Sequence, residues 1–193
     1  LIYGMELMDG AVRPLSDLTE FRALLTRYSN PVLLLLISTI FTGVIQSSAA
    51  SVSMLQNLAL TGAVSYGIAI PIIMGQNIGT CITAMLSSVG TTKNAKRTAL
   101  VHLSFNIIGT IVWLTVFVIV RAAFQPALLD MATDSFGIAV CHSIFNVACT
   151  ALLLPCTNLL EKLVCRLVPD ATEPETVAEL DERLMATPPV ALM

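Results

Sequence analysis

Residues 28–92 read YSNPVLLLLISTIFTGVIQSSAASVSMLQNLALTGAVSYGIAIPIIMGQNIGTCITAMLSSVGTT, without a single Asp, Glu, Lys, Arg or His. A hydrocarbon solvent selects for such a stretch. A transmembrane helix needs about 20 mostly apolar residues, and a charge at bilayer depth costs roughly 2.5–3.5 kcal/mol on insertion scales. Two polar but uncharged clusters interrupt the run: Gln46-Ser47-Ser48-Ala49-Ala50-Ser51 and Gly75-Gln76-Asn77-Ile78-Gly79-Thr80. Irregular backbone at membrane depth survives only where it is buried in protein or lines a cavity. A solute site is therefore the first expectation.

Composition agrees. The chain is 55% hydrophobic and 12% charged, with a mean hydropathy of +0.82, whereas soluble domains carry about 25% charged residues. The net charge of −3 excludes a strongly basic nucleic-acid footprint. The five cysteines (Cys81, Cys141, Cys149, Cys156, Cys165) lie in or beside apolar segments, with no metal-ligand spacing, and read as small buried hydrophobes. No nucleophile–base constellation is present, which points away from an enzyme. The chain begins at Leu1 and stops at Met193 inside a continuing pattern, so it reads as a piece of a longer polypeptide.

Outward from the central stretch, residues 1–30 read as an amphipathic, interfacial helix and connector, residues 31–165 as the membrane unit, and residues 166–193 as a linker. Pro31–Ile45 is an apolar run too short to span comfortably. The first polar cluster follows, and then the shorter Val52–Leu60, closed by Thr61-Gly62. Two half-helices meeting at a polar turn predict either a re-entrant hairpin or a broken crossing. Tyr66–Gly75 and Thr80–Val89 repeat the plan around the second cluster. Lys93–Arg97 reads as a basic loop, Thr98–Val120 and Phe136–Leu160 as full spans, and Arg121–Ser135 as the loop between them. The positive-inside rule puts Lys93–Arg97, Lys162 and Arg166 in the cytoplasm, and the acidic tail from Asp170 with them.

The two full spans echo each other at an offset of 40 residues: His102, Phe105, Asn106 and Thr110 match His142, Phe145, Asn146 and Thr150. Each set lies along one helix face. The histidines read as structural, and Asn106 and Asn146 as interhelical glue with coordination as the secondary reading.

A helix break can do ion chemistry without ionic side chains. The second half-helix offers unpaired N–H groups and positive dipole character, and the first ends in free carbonyls that suit a cation. Ser47, Ser48 and Ser51 add hydroxyls, and Gln46 adds an amide, so an oxyanion can be held without Lys or Arg. In the second cluster Gly75 and Gly79 permit unusual backbone angles, Asn77 offers donors and acceptors, and Thr80 is placed to cap a following half-helix. Small residues also gather at transmembrane interfaces because they let helices approach. Both readings stay open at this point.

The Gln46–Val52 segment, followed by Gly75–Thr80, resembles the sodium-dependent phosphate cotransporter family (type II and bacterial members). That family carries Gln-Ser-Ser-Ser and Gly-Ala-Asn-Ile-Gly-Thr-Thr motifs in each of two inverted repeats. Lys93–Arg97 and the two His-x-x-Phe-Asn helices are similar to its second repeat, and the resemblance covers about residues 30–165. Ala49, Gln76 and Cys81 depart from the family pattern at a Ser, an Ala and a Thr.

The resemblance implies an all-α polytopic membrane protein with re-entrant or broken helices, one half of an inverted-repeat transporter. It implies sodium-coupled transport of inorganic phosphate across the cell membrane, with sodium as coupling ion and no cofactor. The implied site residues are Gln46, Ser47, Ser48, Ser51, Gln76, Asn77, Gly79 and Thr80, with sodium contacts at Asn77 and Thr80. A missing N-terminal repeat or a second protomer would complete the site. The tail resembles the lead-in to a cytoplasmic PhoU-like domain. A passive anion channel and a phosphate-sensing or scaffold subunit are the rival expectations.

Overall fold

The computed structural model describes Leu7, Gly10, residues 30–62 and residues 64–169. The expected interfacial helix over 1–30, apart from Leu7, Gly10 and Asn30, and the acidic linker from Asp170 lie outside the described residues. Helices dominate, and the β pairing among the described residues is an isolated bridge between Ser65 and Ala132.

Helix α1 spans Pro31–Ile45. Asn30 starts it, its Oδ1 accepting from Val32 N at 2.9 Å, and Pro31 fills the first helical position, where a missing N–H costs nothing. It ends at Gln46, whose φ of 56° is left-handed. Helix α2, Ser48–Ala59, begins at once with Ser47 as N-cap. The break is therefore only Gln46-Ser47, and Ser48 to Ser51 are helical. Thr61 and Gly62 stop α2, with Gly62 at a φ of 72°.

The pair folds back as a hairpin, in keeping with the first of the two alternatives the sequence left open. Thr42 Oγ1 and Ser51 Oγ lie 2.7 Å apart across it. Further down, Leu34 of α1 joins Leu55, Leu58 and Ala59 of α2 in one buried cluster. At 15 and 12 residues, both arms fall short of a crossing.

Helix α3, Tyr66–Ser87, is continuous, which corrects the expectation of a second break at Gly75–Thr80. Breaking a helix in apolar surroundings strands N–H and C=O groups. Here the polar side chains bond back to their own helix instead: Asn77 Nδ2 donates to Ile73 O at 2.9 Å and Thr80 Oγ1 to Gln76 O at 2.8 Å. Thr80 is thus not a cap. The glycines serve close packing. A Cβ on Gly75 would collide with Ser38 Oγ and Leu35 O, and one on Gly79 would lie 2.7 Å from both Thr39 O and Thr42 Cβ. Further along, a Cβ on Gly43 would collide with Ile82 Cδ1. This order of contacts makes α1 and α3 parallel neighbours, with backbones close enough for Thr39 Oγ1 to donate to Gly75 O at 3.1 Å.

Helix α4, Lys93–Phe124, has Thr92 as its N-cap. Lys93–Arg97 is consequently its first turn rather than a loop, because Gly90 (φ 76°) completes the preceding turn and Lys and Arg favour helix once capped. At the far end Gln125 (φ 42°) and Pro126 close α4, and a short 3₁₀ turn, Ala127–Asp130, follows. Helix α5, Ser135–Leu153, is capped by Asp134, whose Oδ1 accepts from Gly137 N at 2.7 Å. The expected span Phe136–Leu160 is interrupted at the 3₁₀ turn Leu154–Cys156, where Pro155 cannot donate to a helical ladder. Helix α6, Thr157–Leu167, continues beyond it.

Helix α3, α4 and the α5–α6 rod are each long and apolar enough to cross a membrane, so the chain is an all-α membrane protein. Helix α3 is central. Ile72 and Ile73 join the hairpin cluster with Ile138, while Met74 joins Phe117, Phe145 and Cys149 on the α4–α5 side. Arg97 Nε donates to Val168 O at 3.0 Å, which brings the two basic clusters to the same end of the bundle. The hairpin enters from the opposite end, where Gln56 Nε2 donates to Ser135 O at 3.1 Å and Thr133 N to Val64 O at 2.9 Å. Its tip points toward the basic end.

Gly75→Ala and Gly79→Ala each gain about 1 kcal/mol of helix propensity, yet both are expected to lower the melting temperature in lipid nanodiscs. The added methyl meets main-chain carbonyls that cannot step aside, and overpacking costs about 1–3 kcal/mol. Circular dichroism on heating, with the exposed Leu86→Ala as control, checks this; glycine variants melting at or above the parent temperature would show that the seam is not close-packed.

Candidate functional site

At the hairpin tip two helix ends lie next to each other. The last turn of α1 presents carbonyls without intrahelical donors, although Thr42 O is taken by Gln46 N at 2.8 Å. The first turn of α2 presents N–H groups. Ser47 Oγ accepts from Ala50 N at 3.3 Å, and Ser51 N donates to Ser47 O at 3.1 Å. This leaves the main-chain N–H groups of Ser48 and Ala49 without an intrahelical acceptor. Gln46 and Ala49 are exposed, while Ser47 and Ser48 are half-buried. A carbonyl rim and an N–H rim thus lie side by side, one suited to a cation and one to an anion.

Deeper in the seam sits a second polar group, at the midpoint of α3. Ser51 is fully buried and shares its hydrogen bond with Thr42. Gln76, also buried, donates from Nε2 to Ser51 O at 2.9 Å. Gly79 lies against Thr39, Thr42 and Gly43. Of the expected site residues, the structure therefore gathers Ser51, Gln76 and Gly79 in the seam and holds Gln46, Ser47 and Ser48 at the tip. The tip lies beyond the level of Gly43, which opposes Ile82, so it is nearer the basic end than the middle of α3.

Asn77 and Thr80 follow Gln76 and Gly79 on α3. At 100° per residue Asn77 is about a quarter turn around α3 from Gln76, and its amide and the Thr80 hydroxyl are both engaged by their own helix. Asn106 turns to α3: its Nδ2 donates to Cys81 Sγ at 3.3 Å and to His102 O at 3.0 Å. Asn146 Nδ2 donates to His142 O at 2.8 Å, so the 40-residue echo survives as the same local back-bond on two helices. Asn106 behaves as the glue its sequence suggested. The residues sequence reasoning missed are Ser38, Thr39 and Thr42. Their signal was available, since hydroxyls spaced three and four apart in an apolar helix mark one face.

The matching family model is described as Na+/Pi-cotransporter and covers residues 1–149. The chain is 33% identical over 135 residues to an uncharacterized protein, YqeW, of Bacillus subtilis, covering 70% of this chain and 43% of that protein. It is 26% identical to the putative inorganic phosphate export protein YjbB of Salmonella typhimurium, over all of this chain and 36% of that protein. It is 36% identical over 112 residues to the human sodium-dependent phosphate transport protein 2B, covering 55% of this chain and 15% of that protein. No solved structure matches. The chain thus spans less than half the length of these relatives. With its paired motifs set on a hairpin and the helix packed against it, the chain belongs to the Na+/Pi-cotransporter family.

Proposed function

We propose that this chain forms one half of a sodium-coupled carrier of inorganic phosphate in the cell membrane. The observation that carries the reading is the hairpin tip, where the carbonyl end of α1 and the N–H end of α2 meet at Gln46-Ser47. These opposed ends suit a bound cation beside a bound oxyanion, in a stretch with no charged side chain. Ser47, Ser48 and the first N–H groups of α2 contact phosphate. Gln46 and the α1 carbonyls contact sodium. Asn77 and Thr80 exchange their internal hydrogen bonds for ion contacts when the site fills. Ser51, Gln76 and Gly79 fix the hairpin against α3. The basic end carrying Lys93, Lys96, Arg97, Lys162 and Arg166 faces the cytoplasm, and the linker after it leads to a PhoU-like domain.

Coupling follows from charge. An anion bound by neutral donors alone is held weakly in a medium of low dielectric, and a neighbouring sodium ion strengthens it by direct attraction. An inward sodium gradient then drives phosphate in the same direction. The relatives named as phosphate export proteins favour a second reading, in which the same site serves net outward movement.

Proteoliposomes containing the full-length protein test these readings. Phosphate movement should saturate and should vanish when choline replaces sodium; flux indifferent to sodium would identify a channel instead. Imposing the sodium gradient in each direction separates import from export. In the same assay Ser48→Ala is expected to weaken apparent phosphate affinity by about ten- to 150-fold, the cost of one hydrogen bond to a charged group at about 1.5–3 kcal/mol. Unaltered affinity and rate would remove Ser48 from the site.

Transporters of this kind bind at the interface of two repeats, and the chain carries one hairpin of this type among the described residues. Residues 1–193 alone are therefore expected to give no sodium-dependent uptake after reconstitution. Transport by the isolated chain would mean that two copies assemble the site.

A further inference from the structure

Gln76 holds more hydrogen-bonding capacity than its neighbours use. It is 3% exposed, and its Nε2 donates to Ser51 O at 2.9 Å. Its Oε1 is sealed from solvent and has no hydrogen-bond partner. The amide cannot simply turn over, because that would set Oε1 against the Ser51 carbonyl and lose the bond already made. An unpaired carbonyl oxygen in so apolar a place costs a few kcal/mol.

Beside it lies a cavity of about 20 Å³, lined by Gln76, Ser38 and Ser51 together with apolar side chains that include Ile37, Met54 and Ile72. A water molecule needs roughly 10–15 Å³ of such space and two to four polar partners. Three of the lining residues carry a side-chain oxygen: Gln76, Ser38 and Ser51. Ser38 Oγ already donates to Leu35 O at 3.0 Å, so its lone pairs remain to accept. Ser51 Oγ shares a single hydrogen with Thr42 Oγ1 and keeps a further lone pair. A guest that can donate twice fits this set. The lining residues include no carboxylate, and three neutral oxygens are too few to replace the hydration of a cation.

We propose that this cavity is a binding site for one water molecule, which donates to Gln76 Oε1 and to a serine hydroxyl of the hairpin. Gln76 is thereby a positioning residue. It ties the first turns of α2 to the midpoint of α3 directly through Nε2 and indirectly through the water. The wet half of this tie can be remade at low cost as the hairpin shifts, whereas a dry, interlocked seam could not. This inference does not depend on which ion or solute the hairpin tip serves.

Filling the cavity from its opposite wall tests the assignment, using the protein in lipid nanodiscs. Ile37→Phe should lower the melting temperature, because it expels the water and strands Oε1. In an Ile37→Phe/Gln76→Leu pair most of that added loss should disappear, since the stranded oxygen is gone. A melting temperature raised by Ile37→Phe alone would mean the cavity is dry and would overturn the proposal. So would a parent protein stabilised by sodium over choline through Gln76, which would make the guest a cation. Should the variants fail to fold, a map of the parent protein that resolves ordered water elsewhere decides. Density within hydrogen-bond distance of Oε1 supports the site, and an empty cavity refutes it.

Discussion

The close approach of α1 to α3 is the constraint on which the rest of the structure depends. Gly75 and Gly79 remove the side-chain atoms that would hold the two helices apart. In a bilayer, where helix association gains little from hydrophobic burial, such packing is a main source of stability. Once α1 lies in this seam, Thr39 reaches the Gly75 carbonyl, and Thr42 and Ser51 meet beside Gln76. The return arm α2 then closes on Leu34 and Ile72. Were α1 to stand off by the width of a methyl group, these contacts would lengthen together.

The same seam explains how so many polar residues are tolerated at depth. Hydroxyls and amides repeatedly bond the carbonyl one turn back: Asn77 to Ile73, Thr80 to Gln76, Asn146 to His142. Each such bond satisfies a donor without a partner from another helix. Gln76 is the exception, with one half of its amide committed across the seam and the other half buried without a partner. A neutral polar network of this kind keeps ionic side chains out of the bilayer while leaving lone pairs and N–H groups ready for use.

Much of the fold was legible. The bounds of α1 follow from Asn30-Pro31 and from the polar residues after Ile45, because caps and breakers act locally. The crossings of α4 and α5 were visible in their length and apolarity, although Pro155 divides the second and the basic residues at 93–97 extend α4 instead of forming a loop. The misreading at Gly75–Thr80 has a physical cause. Glycine permits a break and also permits close packing, and composition alone does not say which freedom is used. Of the candidate site, the helix end at Gln46-Ser47 was legible, whereas Ser38, Thr39 and Thr42 look like minor impurities in an apolar helix until a partner face is known.

The sequence by itself determined the solvent and the end of the first helix: residues 28–92 carry no charged side chain, and the polar residues after Ile45 stop α1. Only the tertiary structure decided that the two arms fold back as a hairpin, that Gly75 and Gly79 pack rather than break, and that Ser51 and Gln76 share a buried bond. The reason is range. Capping, solvation and backbone strain act within a turn of chain and are written in neighbouring residues. The choice between breaking and packing at a glycine depends on what stands opposite, and here that is a helix some forty residues earlier in the chain.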